Sequence, residues 1–136
     1  MSIYRPFDYD YRWGSYPGHG RLVQHPNDRS IMVYRGHAVL STLIRAYISP
    51  LETTAGRYIY TGSACGRVYV YDALSGSVLR RLSWHEEVVR DVAWHPRRPM
   101  LASIGFDGCI ARWEYRSPDA PVKVGQAGQD KMPACW

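Results

Sequence analysis

Long apolar runs are missing from this sequence. No window approaches the roughly 18 consecutive apolar residues that a membrane-spanning helix needs, and Met1-Ser2-Ile3-Tyr4-Arg5-Pro6 lacks the apolar stretch of a secretory signal. The expectation is a chain with no membrane span and no classical export. Lysine is nearly absent, 2 against 15 arginines, so the excess of 17 basic over 12 acidic residues is carried by guanidinium groups. Arginine favours planar, paired or stacked contacts over diffuse solvation. Phenylalanine is scarce too, 2 against 11 tyrosines and 5 tryptophans, a bias toward rings that also hydrogen-bond and that suit half-polar strands. The three cysteines, Cys65, Cys109 and Cys135, are odd in number, far apart and without a Cys-x-x-Cys, and read as reduced thiols. His19, His25, His37, His85 and His95 form no metal-ligand spacing. With no phosphate-binding glycine loop and no Gly-x-Ser-x-Gly turn, the chain is expected to be no enzyme, with no catalytic residue, cofactor or metal.

What the sequence does have is a repeat, which decides architecture before any single element does. Tyr58 to Asp72 aligns without a gap with Met100 to Glu114, pairing Thr61 with Ser103, Cys65 with Asp107, Gly66 with Gly108, Tyr71 with Trp113 and Asp72 with Glu114, all 42 apart. Each copy reads as two short strands of β-branched and aromatic residues around a glycine turn. A further extended stretch precedes each copy, Val39 to Ile48 and Val88 to Trp94, opened by His37 or His85 and closed by Pro50 or Pro96. The two histidines are 48 apart, so six extra residues enlarge the loop around Ser49 to Gly56, where insertion is cheap. Ser77 to Leu82 reads as a fourth strand, and Ser30 to Tyr34 holds the same place before Gly36-His37. No stretch reads as a helix.

The unit is thus four antiparallel strands at a period of about 42 residues, as in a propeller blade. The expected fold is all-β: about two four-stranded blades plus one strand of a preceding blade, an incomplete ring. Residues 1–29 would be the end of that preceding blade and a long loop. Residues 30–116 would hold the blades, the first repeat at about 37–83 and the second at about 85–116. Residues 117–136 read as a disordered tail, with no strand after Arg116 to complete the second blade.

Two segments share an aromatic, an acid, any residue and then arginine: Tyr9-Asp10-Tyr11-Arg12 and Trp113-Glu114-Tyr115-Arg116. Local pairing of each arginine with its acid would explain them equally well. Ser103, His85 and Asp107 match the residue types of a hydrolase triad, but the serine sits inside a strand and not at an exposed turn. Cys65 reads as a packed turn residue or as a functional thiol. Nucleic acid is argued against by arginines scattered over all strands with no binding signature.

The residues His85, Ser103, Asp107 and Trp113 resemble the signature positions of WD repeats. In that family the carboxylate, imidazole, hydroxyl and indole form a structural hydrogen-bonded chain. His37, Thr61 and Tyr71 are the first repeat's counterparts, with Cys65 in the carboxylate's place, which implies a weaker clamp. The boxes at Tyr9, Asp10 and Arg12 and at Trp113, Glu114 and Arg116 are similar to the Trp-Asp-x-Arg box of substrate receptors of cullin-4 RING ubiquitin ligases. Asp10-Tyr-Arg-Trp13, Tyr34-Arg-Gly-His37, Leu43-Ile-Arg45, Tyr58-Ile-Tyr-Thr-Gly62, Val70-Tyr-Asp72 with Ser75-Gly76, and Val89-Arg-Asp91 before Trp94-His-Pro96 narrow the match. They resemble the C-terminal blades of the group comprising WD repeat-containing protein 23 and its plant relatives. The resemblance implies a non-catalytic protein-interaction module that docks on the ligase's adaptor and presents a protein substrate, in nucleus and cytoplasm. It further implies a substrate face at the opposite mouth, near Arg45, Arg90 and Asp91, and a seven-bladed ring of which this chain would be a fragment.

Overall fold

The computed structural model describes residues 27–40 and 42–115 and the backbone of 134–135. Tyr9, Asp10, Arg12, Arg116, the N-terminal residues assigned to a preceding blade and most of the expected tail lie outside the described residues. Two antiparallel sheets follow in chain order. The first comprises β1 (Ala46–Ile48), β2 (Tyr58–Thr61), β3 (Arg67–Asp72) and β4 (Val78–Ser83). The second comprises β5 (Val89–Trp94), β6 (Met100–Gly105), β7 (Cys109–Glu114) and β8 (Ala134–Cys135).

The 42-residue correspondence is realised as two matched hairpins. Tyr60 pairs with Val70 across β2 and β3, and Ala102 pairs with Arg112 across β6 and β7. Their turns carry Gly66 at φ 74° and Gly108 at φ 75°, a left-handed conformation that residues with a Cβ avoid. Strand β3 is buried on both faces, Val68 and Val70 on one and Tyr69 and Tyr71 on the other, which explains its unbroken run of β-branched and aromatic residues.

Five expectations are corrected. Ser30 to Tyr34 is not a strand: no strand among the described residues lies beside it, so it lacks a ladder. Its Tyr34 hydroxyl instead donates to the Ala73 carbonyl at 2.7 Å. The stretch from Val39 is extended strand only over Ala46–Ile48. The enlarged loop holds a one-turn helix, α1 (Leu51–Thr54), which Ala55 closes at φ 52°. Thr54 Oγ1 lies 2.7 Å from the Pro50 carbonyl and 2.6 Å from Ser49 Oγ, so two loop hydroxyls stitch that turn. Finally, β8 does give the second sheet a fourth strand, two residues long, pairing Cys109 with Cys135 and Ile110 with Ala134. Cys109 is disulfide-bonded, against the reading of three reduced thiols; Cys65 is free.

The sheets share one core. Tyr60, Val68 and Val70 of the first pack with Val89, Val92 and Leu101 of the second, flanked by Tyr58, Trp94 and Trp113. Tyr58 stacks on Trp94 with centroids 5.8 Å apart and planes 9° from parallel. Burying such side chains contributes about 1.5–3 kcal/mol each before ordering costs. The ring is not closed: Val68 is fully buried, whereas its counterpart Ile110 is 40% exposed on the far face of the second sheet. This is a partial propeller of two stacked blades.

Candidate functional site

Two polar clusters mark equivalent places in the two sheets. In the second, Trp113 Nε1 donates to Ser103 Oγ at 2.8 Å, and Ser103 Oγ lies 2.8 Å from His85 Nε2. His85 Nδ1 in turn lies 2.9 Å from Asp107 Oδ2. A neutral imidazole with its proton on Nδ1 satisfies every member: indole gives to hydroxyl, hydroxyl to Nε2, Nδ1–H to carboxylate. Asp107 also accepts from the Glu86 and Cys109 amides at 3.2 and 3.0 Å. Burial pushes its carboxyl up, but the Cys109 amide, His85 and the Glu86 amide together outweigh this and hold it below the ordinary carboxylate range. Ser103 is 2% exposed, so its hydroxyl is sealed within a strand, and a triad's residue types here build a clamp. That clamp ties β6, β7, their turn and the segment before β5 together.

The first sheet does not repeat it. His37 Nδ1 lies 2.9 Å from the Tyr71 hydroxyl, and the His37 amide donates to the same oxygen at 3.2 Å. Thr61 is absent from this contact, donating to the Arg45 carbonyl at 3.0 Å. Cys65 Sγ sits 3.1 Å from Ser63 Oγ and 3.9 Å from the Tyr69 hydroxyl. Burial pushes its thiol up, but the Ser63 and Tyr69 hydroxyls and the Arg67 charge more than reverse this, leaving a net lowering.

Besides the missing carboxylate at Cys65, a residue that sequence reasoning passed over contributes to the difference. Ser63, fully buried, stands 42 before Gly105. A Cβ at Gly105 would come within 2.6 Å of Asp107 Oδ1 and 2.7 Å of His85 Nδ1, so the imidazole–carboxylate pair needs glycine there. In the first sheet the Ser63 hydroxyl holds the Ala38 amide at 3.0 Å instead. The Ser63/Gly105 mismatch in the alignment was the available signal.

At the end of β7, Trp113 is held by Ser103, and Glu114 pairs with Arg112 at 3.4 Å. The matching Asp72 serves local structure: it accepts from the Ser75 and Leu74 amides at 2.9 and 3.0 Å and from Arg57 at 3.3 Å. The Ser75 amide first, then Leu74 and the Arg57 and Ser75 side chains, hold its carboxyl below the usual range.

Arg45, Arg90 and Asp91 lie where the sheets meet. Arg45 pairs with Asp91 at 3.6 Å, and Arg90 donates to the Leu43 carbonyl. Arg45 and Arg90 do not occupy matching places. Ala46 pairs with Thr61 and Val92 with Ser103, which sets Arg45 level with Asp91; a register shift between Val89 and Asp91 displaces Arg90.

Residues 76–114 match the WD40 family model, described as WD domain, G-beta repeat. The chain carries a WD40 repeat. The matched stretch begins at the turn before β4 and ends with β7, so this WD40 repeat straddles the two sheets. Over 115 residues the chain is 53% identical to the LEC14B homolog of Prunus armeniaca, covering 85% of this chain and 24% of that protein. It is 50% identical over 120 residues to the LEC14B protein of Lithospermum erythrorhizon, covering 88% and 25%. With the DDB1- and CUL4-associated factor 11 homolog of Caenorhabditis elegans it shares 48% identity over 107 residues, 79% of this chain and 18% of that protein. The chain is therefore similar to LEC14B proteins and to a DDB1- and CUL4-associated factor 11 homolog, and it spans about a quarter or less of the length of these relatives.

Proposed function

We propose that this chain forms part of a substrate receptor that brings target proteins to a cullin-4 RING ubiquitin ligase, as an interaction module without catalysis of its own. The observation that carries this reading is the 48% identity to the DDB1- and CUL4-associated factor 11 homolog. It is joined by an aromatic-acid-x-arginine box at the end of β7. Arg12 and Arg116 contact the ligase's adaptor, with Tyr9, Asp10, Trp113 and Glu114 framing them. The clamp of His85, Ser103, Asp107 and Trp113 supports the box from behind, because the indole that opens it is also the clamp's last donor. Target proteins meet the opposite mouth, near Arg45, Arg90 and Asp91, where the two blades are tied.

Capture of the ligase adaptor by the tagged chain, wild type against Arg12→Ala/Arg116→Ala, tests this. Specific capture that the double change abolishes is expected. Failure of a folded wild-type sample to capture the adaptor would sink the reading and leave the boxes as local ion pairs.

A further inference from the structure

Helix α1, the 95–99 turn and the ends of β6 and β7 border a cavity of about 730 Å3 between the two sheets. Its floor is apolar and largely aromatic, built by Tyr58, Trp94, Trp113, Val70, Leu82 and Leu101. Its rim is basic, with Arg80 from β4 and Arg97 and Arg98 from the turn before β6. The Arg97 and Arg98 amides both donate to His95 Nδ1, at 3.1 and 3.2 Å, which pins that turn. None of these three guanidiniums forms an ion pair among the described residues, whereas Arg45, Arg57 and Arg112 all do. Glu114, the one lining carboxylate among the described residues, is already paired with Arg112.

An apolar floor under three guanidiniums without an ion pair, of which Arg80 donates to the Leu79 carbonyl at 2.9 Å, is complementary to an anion that carries a greasy anchor. Guanidinium matches carboxylate in a planar, two-pronged fashion, and a large buried side chain supplies most of the affinity in small docking sites. A groove for nucleic acid distributes its cations along a backbone path, whereas these surround one bounded cavity. We propose that the cleft docks an acidic linear segment of a partner protein. One large apolar side chain of that segment rests on Tyr58 and Trp94, and flanking carboxylates pair with Arg80, Arg97 and Arg98. The floor shares Trp113 with the proposed adaptor box, but the peptide contacts at Tyr58, Trp94, Arg80, Arg97 and Arg98 are separate from Arg12 and Arg116, so the two readings fail separately.

Fluorescence anisotropy of a labelled octapeptide, Glu-Asp-Glu-Leu-Phe-Glu-Asp-Glu, titrated with the full chain provides the test. Saturable binding is expected, weakened at least about tenfold by Arg97→Glu/Arg98→Glu. A similar loss is expected when the Leu-Phe pair becomes Ala-Ala, and no binding when lysines replace the acids. Both arginines are exposed, so the double variant should melt at the wild-type temperature; Arg97→Ala, expected to weaken binding about threefold, gives a second reading without charge reversal. Absence of saturable binding overturns the proposal, as does binding indifferent to the arginine changes. Equal affinity for the Ala-Ala peptide, or displacement by a single-stranded oligonucleotide at lower concentration than by unlabelled peptide, would show a bare electrostatic surface and overturn it too.

Discussion

Ser103 Oγ accepts from an indole and lies against an imidazole, whereas the Trp94 indole nitrogen is buried with no acceptor among the described residues. The two tryptophans therefore answer differently to the same substitution. Trp113→Phe removes the indole donor from the Ser103 oxygen, which keeps its bond to His85, and should cost about 1–1.5 kcal/mol. Trp94→Phe removes an unmet donor while keeping the ring over Tyr58, and should change stability by less than about 1 kcal/mol. Urea denaturation of both variants decides; equal losses would mean that the Ser103 bond contributes nothing. The clamps also titrate apart. Burial lowers the pKa of His37, so as pH falls the unfolded chain, at about 6.5, takes the proton first. Stability from His37 is thus present above that value and lost as pH drops toward the folded one. Asp107 is likewise depressed, and its contribution is complete above about 3.9 and lost only as pH falls through its lower folded value. Protection of the Ala38 amide, bound to Ser63, should begin to fall as pH drops below about 6.5. That of Cys109, bound to Asp107, should hold until below about pH 4. Coincident transitions would refute the separation.

At the scale of the element, the hairpins were legible because their signal is local: alternating β-branched and aromatic residues, a turn glycine and an exact 42-residue echo. The second repeat's clamp was legible for the same reason, each member lying at a fixed offset. What could not be read depended on partners distant in sequence. Ser30 to Tyr34 has strand composition but nothing to pair with among the described residues, and β8 pairs with β7 across a long separation. That Arg45 stands level with Asp91, with Arg90 displaced by a register shift in β5, leaves no mark in residue type. The first repeat's failed clamp combines Cys65 in the carboxylate's place with a Cβ at Ser63 where the second repeat has Gly105. Gly105→Ala should therefore disrupt the second clamp, costing about 1–3 kcal/mol as an overpacked site, and the His85 ring should lose its distinct downfield Nδ1 proton resonance. An alanine variant that keeps that resonance and its melting temperature would show that the Ser63/Gly105 difference is not what separates the two sheets.

For the whole molecule, the decisive feature is that the hydrophobic cluster among the described residues lies between the two sheets and is shared by both. The buried cluster draws Tyr60, Val68 and Val70 from the first and Val89, Val92 and Leu101 from the second. Stacked repeats stabilise one another mainly through such neighbour interfaces, so the two sheets should unfold in one transition. Tyr60 is the best probe, because it serves both: its ring stacks on Tyr47 in the first sheet and its hydroxyl accepts from the Trp94 amide of the second at 3.3 Å. Tyr60→Ala should cost about 3 kcal/mol, the usual penalty for deleting a buried ring. Its signature is where that loss is felt: amide protection in β3 and in β6 should fall by the same factor, although β6 contains no mutated residue. Retained protection in β6 with loss confined to β3 would mean that the second sheet stands alone, and the shared core would then not be what joins the blades.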